Sequence, residues 1–369
     1  MPTTTTTTRA CDFLVRRDDL HQSAFFDAQD PSTIALATGQ VLLAVEAFAF
    51  TANNITYAVF GDAMRYWSFF PARQGWGSVP VWGFATVARS AHPEIREGER
   101  VYGYLPMSTH TVVQADAVTA GSFHDVSPHR RELAAIYNQY LRTAGDPGYD
   151  PAREAEQMLF RPLFLTGYLI DDFLGDAGFF GARSVVLSSA SSKTAIGLAF
   201  CLWKRGREQC EVVGLTSRGN VAFVGGLGCY HRVVAYDDVA SLPATTPTVF
   251  VDMAGDTGVT SSVHRHLGDA LRYSCSVGGT HWENLAFGQE FPGPPPVLFF
   301  APTHVAKRIA DWGGAGLQQR TGDAWASFLP RVDRWITVER GSGREPIERV
   351  YRDTLEGRAD PRRGYILSF

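Results

Sequence analysis

Two stretches of this chain place reactive residue types at spacings that can do chemistry. The first is "VVLSSASSKTAIGLA", Val185 to Ala199, where a β-branched run meets an apolar helix across serines and a lysine. A strand that turns into a helix over small residues is built to grip a phosphate, through hydroxyls and the first free helical N–H groups. A P-loop would need G-x-x-x-x-G-K-[ST] so that its backbone can wrap the phosphates. Here Leu187 and Ser192 stand where those glycines belong, which argues against that reading. Two readings stay open. One is a dinucleotide turn with Ser191, Ser192, Lys193 and Thr194 around a pyrophosphate. The other is a serine-rich turn whose hydroxyls only cap the helix.

The second stretch is "TANNITYAVFGDAMRYW". A phenol at Tyr57 can protonate an enolate, and Asn53 or Asn54 can orient a carbonyl oxygen. The alternative is a tyrosine packed among aromatics with its hydroxyl satisfied locally. Weaker candidates are Tyr137 and Tyr140 of "YNQY", three apart on an expected helix, "PMSTH" (Pro106–His110), and "GGTHW" (Gly278–Trp282) with His281. No G-x-S-x-G elbow or Ser-His-Asp order supports hydrolase chemistry.

Elements that must hold these residues follow from the hydrophobic pattern. "GQVLLAVEAFAF", "VPVWGFATVARS", "GERVYGYLP" and "THTVVQAD" read as strands of a β-rich body punctuated by Gly, Pro and Ser. "HRRELAAIYNQYLRTAG" and "PAREAEQMLFRPLFLTGYLIDDFLGDAG" have helical spacing, broken by Gly145-Asp146-Pro147-Gly148. Strand and helix then alternate: strands at Ser184–Ser188, Glu211–Thr216, His231–Asp238, Thr248–Gly255 and Arg272–Gly279, with helices at Ala195–Arg205 and Val221–Leu227. Repeated βα units with apolar strands imply a parallel sheet covered on both faces. Glu211–Thr216 ends in Ser217-Arg218 with no acidic residue beside it in sequence. A basic residue there suits a 2′-phosphate, so NADP(H) is favoured over NAD(H), the alternative being an ordinary exposed arginine.

Composition bounds the rest. The 369 residues are 45% hydrophobic and 20% charged, with net charge −4. That describes an ordinary globular chain long enough for two domains, and argues against a nucleic-acid or polybasic membrane footprint. Five scattered cysteines without a CxxC pair fit reduced thiols in a cytoplasmic protein, and give no structural or catalytic zinc site. "MPTTTTTTRA" has no apolar h-region and reads as a frayed tail. No run of ~18 apolar residues suggests a spanning helix.

Taken in order, these segments resemble the medium-chain dehydrogenase/reductase superfamily, in its zinc-free quinone- and enoyl-reductase-like branch. "GQVLLAVEAFAFTANNITYAVFG" is similar to the opening strand and polar turn, "VPVWGFATVARSAHPEIREGERVYG" to the G-x-R-V region, and "LTGYLIDD" to the T-A-Y helix. "GLGCYHRVVAYDD", "VDMAG" and "YRDTLEGRADPRRGYILSF" look like later elements of the same layout. The serine–lysine loop looks like the mark of a bacterial subfamily of unknown function within or beside it.

The resemblance implies an α/β protein, with a GroES-like β-rich catalytic domain (1–165) and a Rossmann domain (166–300) with a doubly wound parallel sheet. Residues 301–369 would return to the first domain, and about 128–161 would be a helical insertion. It places Tyr57 near the nicotinamide, with Ser217, Arg218, Gly255 and Gly278 joining Ser191, Ser192, Lys193 and Thr194 as cofactor-binding residues. Its A-x-x-G-x-x-G turn is here Ala190 to Ala195 without glycine, so Lys193 either meets a phosphate or fills the cofactor's space. The leading expectation is an NADPH-dependent, metal-free reductase of a small carbonyl compound, apolar or aromatic given the aromatics around Tyr57, with a homodimer possible. The alternatives are a non-redox acid–base or lyase enzyme, and an NADPH-binding protein without turnover.

Overall fold

A computed structural model describes residues 9–278 and 291–369. The chain divides into two units, one running to Met158 and taking in Val338–Ala359 and Gly364–Phe369, the other Leu159–Thr337 and Asp360–Arg363.

In the first unit, β1 (Cys11–Arg16) pairs antiparallel with β2 (Ser23–Asp27). Apolar β3 (Gln40–Phe50) leads into α1 (Ala52–Val59), whose start is fixed by Asn54 Oδ1 accepting the Thr51 N–H at 2.7 Å. The short β4 (Trp76–Gly77) adds to β1. The strands β5 (Pro80–Ser90), β6 (Arg100–Pro106), β7 (His110–Asp116), β8 (Ser122–Asp125) and β9 (Gln139–Arg142) follow. Pairing runs β3-β5-β6-β9-β8-β7, and β7 also pairs with β3, so the sheet closes on itself. Closure needs sharp bending, and register shifts at Leu42/Leu43 and Val45/Ala47 of β3 provide it. Gly83 faces that bend, where an added Cβ would lie 2.4 Å from the Ala47 oxygen.

Residues 128–150 depart from the expected helices. They form short 3₁₀ turns at Pro128–Arg130 and Ala135–Asn138, then β9. The edges of β6 and β8 claim Gln139–Arg142, and the buried Tyr140 donates to the Tyr104 oxygen at 2.9 Å with its ring stacked on Phe123. Tertiary pairing overrides the local helical spacing, so Tyr137 and Tyr140 do not share a helix. Beside this turn Arg130 and Asp125 form an ion pair of 3.0 Å, both side chains no more than 2% exposed.

The second unit holds most of α2 (Glu154–Asp176), then β10 (Ser184–Leu187), α3 (Lys193–Lys204), β11 (Glu211–Thr216), α4 (Val221–Gly226) and β12 (Arg232–Ala235). After these come β13 (Thr248–Asp252), α5 (Thr257–Leu267), β14 (Leu271–Ser276), β15 (Pro296–Leu298) and α6 (Ala301–Trp335). All six strands are parallel, in the order β12-β11-β10-β13-β14-β15, which reverses direction between β10 and β13. Val186, Val213, Leu215, Phe250 and Val263 pack one face. Helices α2 and α3 touch backbone to backbone, since a Cβ at Gly167 would lie 2.6 Å from the Leu198 nitrogen. Between α2 and β10, Gly178-Phe179-Phe180-Gly181 all take positive φ (56°, 53°, 53°, 74°). Each phenylalanine there costs about 1–2 kcal/mol. Burial of Phe179 and a 4.1 Å stack of Phe180 on Tyr273 offset it.

The return to the first unit comes at Val338, later than the expected 301, because α6 stays with the second unit. It takes in all but the first residue of β16 (Thr337–Ser342), the whole of α7 (Arg344–Leu355) and all but the first residue of β17 (Arg363–Ser368), whose Tyr365 and Leu367 pair antiparallel with Phe50 and Phe48 of β3. The two units are the GroES-like and Rossmann architectures that the resemblance implies. Among the described residues no helix is long and apolar enough to cross a membrane. All five cysteines are buried free thiols.

Candidate functional site

At the C-terminal ends of the parallel strands, β10 and β13 are knotted together where the strand order reverses. Ser188, fully buried, donates from Oγ to Asp252 Oδ1 at 2.5 Å and accepts the N–H groups of Met253 (2.8 Å) and Ala254 (3.0 Å). Asp252 also accepts from the Ala254 and Gly255 N–H groups and from Thr260 Oγ1. Burial pushes its carboxyl above the usual range, and these hydrogen bonds pull it back. Gly255 takes φ 70°, and at Gly278 a Cβ would lie 2.8 Å from the Met253 oxygen.

The loop between β10 and α3 does without glycine by two local devices. Ser189 itself adopts the left-handed φ of 46°, and its N–H donates to the Tyr236 hydroxyl at 2.9 Å. The space a glycine would clear lies instead on β11, where a Cβ at Gly214 would come 2.9 Å from the Ala190 Cβ. The Tyr230 hydroxyl donates to the Ala190 oxygen (2.9 Å), and Asn220 Nδ2 donates to Ser191 Oγ (3.3 Å). Ser192 caps α3 by accepting the Ala195 N–H, which leaves the Lys193 and Thr194 N–H groups in the first turn with no intrahelical carbonyl. Lys193, half-buried, donates from Nζ to the Arg363 oxygen at 3.1 Å. Burial pushes its ammonium down to about 8, with Asp360 partly opposing.

Arg218 is 65% exposed and lies 3.3 Å from Asp238 and 3.6 Å from Asp237. The sequence shows no acidic residue beside it, but the parallel register sets Thr216 against Ala235 and carries the two carboxylates alongside. The expectation of a carboxylate-free strand end is corrected accordingly.

In the first unit Tyr57 lies buried on α1 among Tyr66, Phe69, Phe70 and Tyr104, with Trp82 and Tyr137 packed against them. Trp82 Nε1 donates to the Tyr57 hydroxyl at 3.2 Å, and the side chains of Asn53 and Tyr137 favour its ionised form. Burial raises the pKa of Tyr57 against the influence of these three side chains. Asn54 does not share this role: its Oδ1 holds the Thr51 N–H and its Nδ2 donates to the Pro80 oxygen at 2.8 Å, so its amide is committed to backbone at both ends. His110 is half-buried beside Thr109, 3.0 Å from its hydroxyl. His281 and Trp282 lie outside the described residues. Among the described residues no three His, Cys, Asp or Glu side chains are grouped to hold a metal ion.

Local pattern does not reveal the partners of Ser188, Asp252, Tyr230, Tyr236 and Trp82. Each acts on a partner at least 25 residues away, and only the sheet order brings them together.

Residues 48–360 match a family model described as "Protein of unknown function (DUF2855)". No curated protein matches the chain. Among solved structures, CurA from Vibrio vulnificus in complex with NADPH is 12% identical, covering 97% of this chain and 98% of that one, with a TM-score of 0.61. The yhdH oxidoreductase from Salmonella enterica in complex with NADP is 13% identical (97% and 99% covered, TM-score 0.53). A mutant enoyl thioester reductase from Candida tropicalis is 10% identical (98% and 100% covered, TM-score 0.55). The likeness is one of fold.

Proposed function

The chain belongs to the DUF2855 family, and from its fold and site geometry we propose that it is an NADPH-dependent, metal-free oxidoreductase reducing a small conjugated or simple carbonyl compound. The observation that carries this reading is the loop from Ser188 to Thr194, standing where the strand order reverses, with open helical N–H groups behind it. Dinucleotides bind at such switch points, against the helix N-terminus. The chemistry of the similar folds solved with NADPH or NADP supports the same choice.

Bound NADPH would supply the hydride. Ser191, Ser192, Lys193 and Thr194 would hold its pyrophosphate, and Ser217 and Arg218 its 2′-phosphate. On the next two strand ends, Gly255 supplies a positive φ and Gly278 a close backbone approach. Tyr57 is the proposed proton donor. An indole N–H can only donate, so with Trp82 bonded to its oxygen Tyr57 keeps its own proton to give. Asn53, whose side chain acts on that hydroxyl, is proposed to orient the substrate oxygen. A homodimer belongs to the same reading, supported by the exposed Val297 and Leu298 on the edge strand β15.

One observation favours a second reading, a non-redox enzyme on this scaffold: both cations suited to phosphate already have protein partners. Titration with NADPH and NADH, followed by tryptophan fluorescence and thermal shift, separates the two. The reductase reading requires binding below millimolar cofactor, with Arg218→Ala weakening NADPH more than NADH. NADPH consumption in a screen of enones, quinones and aldehydes then separates an enzyme from a protein that binds without turnover.

A further inference from the structure

We propose that Asp238, backed by Asp237, is a cofactor-specificity residue, which holds Arg218 ready for a 2′-phosphate but competes with that phosphate for the guanidinium. The inference rests on the dinucleotide reading above and adds a limit to its preference for NADP(H).

The placement is built from two sides. Arg218 opens the turn Arg218–Asn220 after β11, and Asn220 ties that turn to Ser191 of the phosphate loop at 3.3 Å. On the other side the Tyr236 hydroxyl accepts the Ser189 N–H at 2.9 Å, pinning the start of the segment that carries Asp237 and Asp238. The turn that carries Arg218 therefore lies beside the loop, and one guanidinium nitrogen faces two carboxylates 3.3 and 3.6 Å away. One cation facing two anions is more than neutralised. A phosphate arriving there must share the guanidinium with the carboxylates and meets a site that already carries excess negative charge. The pairs are open to water, with Arg218 65%, Asp237 77% and Asp238 52% exposed, so the competition is modest and screened by salt. A cofactor lacking the 2′-phosphate does not enter this competition.

The same carboxylates could instead accept hydrogen bonds from a ribose 2′-hydroxyl, and the two roles have opposite signatures. Dissociation constants for 2′,5′-ADP, 5′-AMP, NADPH and NADH are measured by calorimetry at low and high salt. The proteins compared are the parent, Asp238→Asn and Asp237→Asn/Asp238→Asn, each also with Arg218→Ala. Asp238→Asn tightens 2′,5′-ADP and NADPH roughly two- to fivefold, leaves 5′-AMP and NADH unchanged, and loses the gain at high salt or with Arg218→Ala. Weaker NADH or 5′-AMP binding in Asp238→Asn overturns the proposal, as does a variant neutral toward all four while the parent binds them. A parent that binds none of the four overturns the dinucleotide reading itself, and this inference with it.

Discussion

Replacing Lys193 with methionine tests the state of the residue at the centre of the loop. Its ammonium is pushed from an ordinary 10.5 down to about 8 by burial. A drop of that size corresponds to about 3 kcal/mol against the charged form. Partial exposure and solvent screening bring the expected cost to about 1–2 kcal/mol. The sign follows from proton counting. Below pH 8 the amine is charged in both folded and unfolded chains and the whole cost is present; between about 8 and 10.5 only the folded chain has released the proton, and the cost disappears. Urea unfolding of both proteins at a series of pH values should therefore show the parent gaining about 1–2 kcal/mol on Lys193→Met between pH 7 and pH 10. Taking the difference between the two proteins cancels the titration of every other group. If a cofactor phosphate takes over the ammonium, its pKa climbs again, and calorimetry at pH 8.5 in buffers of different ionisation enthalpy will show proton uptake on binding NADP. Parallel stability curves would refute the burial argument, and binding without proton uptake would refute the phosphate contact.

Three further outcomes can be checked by denaturation. Ser189 holds φ 46°, so Ser189→Val should cost about 1–2 kcal/mol while Ser189→Gly stays within about 0.5 kcal/mol of the parent. Asp125→Ala strands the buried Arg130 and should cost about 3–5 kcal/mol, much more than an equivalent change at the exposed Arg65–Glu132 pair. Burial raises the pKa of Tyr57, Tyr66, Tyr104 and Tyr137 alike, so above pH 10 the unfolded chain releases protons that the native one keeps. Stability should fall there, and the ultraviolet tyrosinate signal should appear together with unfolding.

Much of this was legible in the sequence because each unit advertises its period. The apolar strands at Ser184, Glu211 and Thr248, with helices between them, leave little besides a parallel sheet, and the long strands before Asp116 read directly. The stretch from Pro128 to Arg142 was not legible, because its helical spacing yields to strand edges contributed by residues far away in sequence. The loop's serines could be read as phosphate ligands, but that Ser189 does a glycine's work, and that Gly214 supplies the room, is a property of neighbouring strands. Asn54 shows the opposite failure. Its type fitted carbonyl recognition, but its amide is spent on the Thr51 N–H at the start of α1 and on the Pro80 oxygen.

The pairing of β17 with β3 carries a consequence for synthesis. Phe50 must wait for Tyr365, and the whole of Leu159–Thr337 emerges from the ribosome in between. The parallel sheet has all its strands by Leu298, so it can form while the barrel-bearing unit still offers an open flank on β3. That flank, apolar along Phe48–Phe50, is where a nascent chain most needs shielding. A truncation or fusion near residue 365 would thus act on the first unit, although it lies at the opposite end of the chain.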